Sequence, residues 1–89
     1  MIEQELEIIN KLGLHARAAA KLTSLTGRFS SDIKITKDGR QVDGKSIMSV
    51  MMLAASKGTV LTFELNGDDE NEAFDAISAL VNNYFDEGE

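Results

Sequence analysis

The 89-residue sequence contains no cysteine, no proline and a single histidine, His15. Without cysteine there is no disulfide, no thiolate chemistry and no thiolate zinc site. One histidine cannot supply a histidine-rich metal centre either, so neither metal nor cofactor is expected. Proline-marked linkers, internal repeats and low-complexity stretches are all missing, and residues 1–89 are expected to form a single domain around one core. No apolar run approaches the roughly 20 residues that cross a bilayer. The opening Met1-Ile2-Glu3-Gln4-Glu5 lacks the basic and apolar regions of a secretory signal, which makes the cytoplasm the expected compartment.

Positive charge is missing from the last third of the chain. All nine basic residues lie between Lys11 and Lys57, and nine of the fifteen acidic residues follow Gly58. The first 57 residues therefore carry +3 and the last 32 carry −9, for a net charge of −6. With only five aromatic residues as well, the chain does not suit nucleic acid, which calls for a basic face. Its mildly basic first part suits an acidic protein partner instead.

What is present reads as strand, helix, strand, strand, helix, strand, helix. Ile2, Leu6 and Ile8 alternate with Glu3, Glu5 and Glu7, as in a strand with one buried face. Ala18, Leu22, Leu25 and Phe29 recur at helical spacing with Gly27 as a C-terminal cap, beside a polar stripe of Arg17, Lys21, Ser24 and Arg28. Ile33 and Ile35 lead to Asp38-Gly39, a two-residue hairpin signal that returns the chain through Val42. Ser46 is a good N-cap for a short helix reaching Lys57-Gly58, and Leu61, Phe63 and Leu65 form the last strand. An acidic first turn from Asp68 opens the closing helix, with Ala73, Ile77, Leu80, Val81 and Tyr84 as its apolar stripe and Asp86–Glu89 as a frayed tail. The expected fold is α+β: a two-layer open-faced sandwich in which three helices cover one face of a four-stranded, mainly antiparallel sheet.

The chemistry concentrates at Gly13-Leu14-His15-Ala16-Arg17, where a turn meets a run of helix formers. An imidazole at that junction faces backbone N–H groups without helical partners, at the positive end of the helix dipole. Those groups favour an anion, and Arg17 adds a permanent positive charge. His15 at the N-cap can accept the N–H of Arg17, and imidazoles, which ordinarily titrate near pH ~6.5, are largely neutral and nucleophilic at cellular pH. A phosphoryl group on the ring would meet the amides of Ala16, Arg17 and Ala18. A capping histidine without chemistry accounts for the same spacing. Neither a Gly-rich phosphate loop nor a serine triad accompanies it, so a phosphoryl acceptor and donor fits better than a complete enzyme.

Gly13-Leu14-His15-Ala16-Arg17, followed by Gly44-Lys45-Ser46-Ile47-Met48-Ser49-Val50-Met51, resembles the histidine-containing phosphocarrier (HPr) family of the bacterial phosphotransferase system. The resemblance extends over essentially the whole chain. It implies a βαββαβα fold, phosphorylation of His15 on Nδ1, and Arg17 as the charge partner. It also implies transfer from phosphoenolpyruvate by way of enzyme I to enzyme II A-type components. A nitrogen-related regulatory carrier and a non-transferring binding module are the alternative readings. The family usually has proline directly after the active-site arginine; here the residue is Ala18, which restores an amide that a first-turn proline lacks.

By the same resemblance, Ser46 is the target of HPr kinase/phosphorylase, and transcriptional regulators are further partners. Ile47, Val50, Met51 and Ala54 form one apolar stripe of the short helix, and Met48, Met52 and Ala55 form a second. Only one is needed for the core. The other is either buried or an exposed methionine patch suited to several partners. Ile47, Met48 and Met51 are the docking candidates, with Lys21 and Arg28 on the charged rim of a protein expected to be a monomer.

Overall fold

Four segments of alternating apolar and polar residues pair into one sheet in the computed structural model, which describes residues 1–88. The elements are β1 (Ile2–Glu7), α1 (Ala16–Thr26), β2 (Asp32–Lys37), β3 (Arg40–Asp43), α2 (Ile47–Met52), β4 (Val60–Asn66) and α3 (Glu70–Asn82). The order is the one the sequence implies. The strands lie as β1-β4-β2-β3, and all three pairings are antiparallel. At the β2–β3 hairpin, Asp38 (φ 50) and Gly39 (φ 83) take the two left-handed positions of a type I′ turn.

Position in the sheet decides how completely each strand is buried. The inner-face residues of the central strands, Leu61, Phe63 and Leu65 on β4 and Ile33 and Ile35 on β2, are inaccessible or nearly so, whereas Ile2, Leu6 and Val42 on the edge strands are only partly covered. On the outer face, Glu64 pairs across to Lys34 of β2 and accepts a hydrogen bond from Gln41 at 2.9 Å. The helices close the core with Ala18, Ala19 and Leu22 from α1, Val50 from α2, and Ala73, Ile77 and Val81 from α3. The alanines allow close helix approach, and each larger side chain contributes about 1.5–3 kcal/mol by leaving water.

Backbone contacts carry the chain from β1 to α1. Ile8 is buried and exchanges hydrogen bonds with the segment before β4, its N–H donating to Thr59 at 2.8 Å and its carbonyl accepting from Gly58 at 2.7 Å. The turn from Asn10 to Gly13 closes by the Gly13 N–H on the Asn10 carbonyl (3.2 Å), and Leu14 donates to the Ala55 carbonyl at 2.8 Å. Gly13 sits at φ +69, and a Cβ there would lie 2.5 Å from the Ala55 oxygen. Only glycine meets both demands.

Two boundaries differ from the sequence expectation. Helix α2 stops at Met52 rather than reaching Lys57-Gly58, because Ala54 enters the left-handed region (φ 51). Leaving the helix there buries both Leu53 and Ala55, each 3% exposed; a continued helix would turn them about 200° apart. Lys37 donates to the freed Leu53 carbonyl at 2.9 Å. The second difference is the tail. Glu89 lies outside the described residues, but Asp86, Glu87 and Gly88 are not frayed: a single turn, Tyr84–Asp86, follows α3 and buries Phe85 completely. Tyr84, Phe85 and Asp86 all have positive φ (57, 52 and 63), a conformation disfavoured by about 1–2 kcal/mol per residue. Burial of the Phe85 ring and the Lys21 ammonium on its carbonyl (2.8 Å) offset that cost.

The start of α3 is held by Asp69. Its carboxylate accepts from the Ser30 N–H at 2.9 Å, the Ser31 N–H at 3.0 Å and the Ser31 hydroxyl. The Ser31 hydroxyl, with the two amides, lowers its pKa from 3.8 to about 2. Because the folded-state value is the lower one, this contribution to stability is complete above pH ~4 and is lost as the pH falls toward 2. The melting temperature of Asp69→Asn is therefore expected below that of the unmodified chain at pH 7, with the gap closing near pH 2. Equilibrium denaturation should also separate two glycines. Gly13→Ala meets backbone as well as unfavourable φ and should cost about 3 kcal/mol or more, whereas Gly39→Ala, with open space around its Cβ, should cost about 1–2 kcal/mol.

Candidate functional site

His15 is the N-cap of α1, with extended backbone (φ −70, ψ 177). Leu14, 5% exposed, anchors it from one side, and Ala18 and Ala19, both fully buried, anchor the first turn of the helix. The ring itself is only partly covered, with 27% of the side chain exposed. Its Nδ1 accepts the Arg17 backbone N–H at 3.3 Å, as the sequence implies for a capping imidazole. The carbonyl of His15 meanwhile accepts the N–H of Ala19 at 2.8 Å and starts the helical ladder.

The other ring nitrogen has a partner that the sequence reading misses. Nε2 of His15 meets Oε2 of Glu87, 72 residues further along the chain. The second carboxylate oxygen of Glu87 accepts from the Asn10 side-chain amide at 3.0 Å. Asn10 is fully buried, and the same amide also donates to the Gly13 carbonyl at 2.8 Å. Burial of Glu87 works to raise its carboxyl pKa. The hydrogen bonds from Asn10 and His15 and the neighbouring charges of His15 and Lys21 outweigh it, and the carboxyl stays below its ordinary range. One sequence signal for this contact existed: Phe85, an aromatic residue near the end of an acidic segment, needs a burial site, and that site lies beside α1.

Around His15 opens a cleft of about 660 Å³, walled by Lys11, Arg17 and Lys21 and by Asp86 and Glu87. Among the described residues no carboxylate forms an ion pair with Arg17, whose side chain is exposed beside the ring. Three cations, a helix N-terminus and a ring nitrogen that presents a lone pair suit a doubly charged oxyanion. Of the expected backbone donors Ala16, Arg17 and Ala18, the Arg17 amide is occupied by Nδ1 in this arrangement.

The remaining candidates lie elsewhere or have second roles. Ser46 caps α2, its hydroxyl accepting the Ser49 N–H at 3.3 Å. On α2, Val50 alone is buried; Ile47, Met48, Met51 and Met52 are 40–69% exposed. The helix is thus not buried all round, and the open methionine patch is present. Neither of the two expected stripes is the core stripe as a whole, since Leu53 and Ala55 enter the core from beyond the helix. Lys21 does not project freely from the rim: its ammonium is bound to the Phe85 carbonyl. Arg28 is exposed at the far end of a groove between α1 and α3 that also includes Arg17, Leu25 and Leu80.

Comparison with known proteins agrees with the fold and identifies the family. The family model described as the PTS HPr component phosphorylation site matches residues 2–83. The chain is 60% identical to the phosphocarrier protein HPr of Cupriavidus necator over 89 residues, the whole of both chains. It is 55% identical to that of Neisseria meningitidis over the same complete span. The crystal structure of HPr-C-His from Thermoanaerobacter tengcongensis matches with a TM-score of 0.94 at 45% identity, covering 98% of each chain. The chain therefore belongs to the HPr phosphocarrier family of the phosphotransferase system.

Proposed function

We propose that the chain carries a phosphoryl group on Nδ1 of His15, received from enzyme I at the expense of phosphoenolpyruvate and passed to an enzyme II A-type component. The observation that carries this reading is the donation of the Arg17 N–H to Nδ1, which leaves the lone pair of that nitrogen at the mouth of a cationic cleft. In the transfer, a bond forms from Nδ1 to phosphorus as the bond to the donor breaks. The lone pair that held the Arg17 amide is then consumed, and the amide is released to a phosphoryl oxygen. The guanidinium of Arg17 adds a second, charged donor. The same cradle receives the group and gives it up, as a carrier requires.

Ser46 serves as a second, regulatory phosphorylation site for HPr kinase/phosphorylase. A phosphate there adds about −1.5 to −2 charges beside Ile47, Met48 and Met51, the exposed apolar patch. Enzyme I and enzyme II components dock on that patch and on the α1 face that includes Lys21 and Arg28. A monomer presents both without obstruction. New negative charge at Ser46 repels an acidic partner and slows the relay.

Incubation with phosphoenolpyruvate, magnesium and enzyme I should place an acid-labile, alkali-stable phosphate on the chain, with none on His15→Ala. No labelling of the unmodified chain by any competent enzyme I would sink the carrier reading. Arg17→Ala, which removes one charge-assisted hydrogen bond, should slow uptake by about 10–100-fold in rapid-quench kinetics. With ATP and HPr kinase, an acid-stable phosphate should form on the unmodified chain and not on Ser46→Ala. That variant should also lose about 1 kcal/mol of stability through its missing cap.

A further inference from the structure

The turn after α3 holds three successive non-glycine residues at positive φ, and its result is to deliver one carboxylate to His15. Phe85 is the anchor, fully buried, with its carbonyl bound by Lys21. Two residues on, Glu87 divides its oxygens between Asn10 and Nε2 of His15. From this arrangement we infer that Glu87 is a positioning residue for phosphoryl transfer: its carboxylate holds the ring proton on Nε2 and so keeps Nδ1 unprotonated, its lone pair held by the Arg17 backbone N–H until phosphorus takes it. The inference rests on the reading of His15 as the phosphoryl acceptor.

Donor and acceptor matching selects one tautomer of the ring. Neutral imidazole carries its proton on either nitrogen, and its partners select which. The Arg17 backbone N–H can only donate, so Nδ1 must be unprotonated. The ionised Glu87 carboxylate can only accept, so Nε2 must carry the proton. Both partners are satisfied by the same tautomer and neither by the other. Asn10 fixes the orientation of the carboxylate through its second oxygen and is itself immobilised by the Gly13 carbonyl. The ring is thus ordered before a donor arrives.

The same contact serves the transfer itself. The Nδ1 lone pair forms the bond to phosphorus, the donor–phosphorus bond breaks, and its electron pair leaves with the donor. The proton stays on Nε2, so the ring becomes cationic while bonded across its far side to a carboxylate already in place. When the phosphoryl group departs, the electron pair of the nitrogen–phosphorus bond returns to Nδ1 and the charge disappears. No proton has to move in either direction. Glu87 touches neither the phosphoryl group nor the donor; it acts through the imidazole.

Substitution by glutamine probes this directly. Asn10 and Nε2–H are both donors, and a glutamine amide offers only one acceptor beside one donor group. Keeping the Asn10 bond turns the new NH2 toward Nε2 and favours the proton on Nδ1, where it opposes the Arg17 N–H. In ¹⁵N NMR of the unphosphorylated, neutral ring, the unmodified chain should show the Nε2–H tautomer. Glu87→Gln and Glu87→Ala should each show a mixture of tautomers. The rate constant for phosphorylation by enzyme I should fall about tenfold in both. A merely structural latch lowers the melting temperature in Glu87→Ala but leaves the tautomer and the rate unchanged, and that result in both variants would overturn the inference. The tautomer is read without any phosphoryl donor. It therefore decides on Glu87 even where the unmodified chain takes up no phosphate, an outcome that counts against the acceptor reading alone.

Discussion

The close approach of the Gly13–Leu14 backbone to Ala55 is the constraint on which the functional end of this molecule depends. It brings two loops together with no side chain between them, and it requires a glycine at positive φ. One loop follows the edge strand β1 and leads into α1; the other leaves α2 early and leads into the central strand β4. Joined by the Leu14 amide and the Ala55 carbonyl, they set where α1 begins and therefore where the His15 ring stands. The exposed face of α2 is held at the same end. The His15 ring and the apolar patch are registered to each other through main-chain atoms, which hardly vary with side-chain motion.

Electrostatics complete what the backbone positions. The charge imbalance along the chain, basic before Lys57 and acidic after it, is resolved in space at the cleft: Lys11, Arg17 and Lys21 come from the first part, Asp86 and Glu87 from the last. Of the two carboxylates, Glu87 is engaged by the Asn10 amide and by Nε2 of His15, whereas Nδ1 is met by the Arg17 backbone N–H. The imidazole is thus held on both of its nitrogens, by an amide donor at Nδ1 and by a carboxylate at Nε2. Ala18 fits this arrangement as a buried, small residue in the first turn. It keeps a backbone N–H that a first-turn proline would lack.

Much of this was legible in residue order. Strict alternation in β4, the Asp38-Gly39 turn and the apolar spacing of α1 and α3 are local patterns, and local patterns determine local structure. His15 at a helix start is of the same kind, since an N-cap is written in adjacent residues. The shortfalls share a different cause. Helix α2 ends at Met52 because Leu53 and Ala55 both find cover in the core, a fact about neighbours far along the chain. Asp86–Gly88 looks like a tail because nothing within a few residues requires order. What orders it is the pocket for Phe85 and the partners Lys21, Asn10 and His15, which are 64 to 77 residues away from the atoms they bind.

Sequence by itself thus determined the strand and helix order, the antiparallel sandwich, and a histidine poised at a helix N-terminus beside an arginine. Each of these depends on side-chain type and spacing over one or two turns. Tertiary structure alone decided that Asn10 and Glu87 join the site and which face of α2 stays open. It also decided that one imidazole nitrogen meets an amide donor while the other meets a carboxylate. Those outcomes depend on the packing of segments remote in sequence, and a carboxylate reveals its chemistry only once its donors are in place.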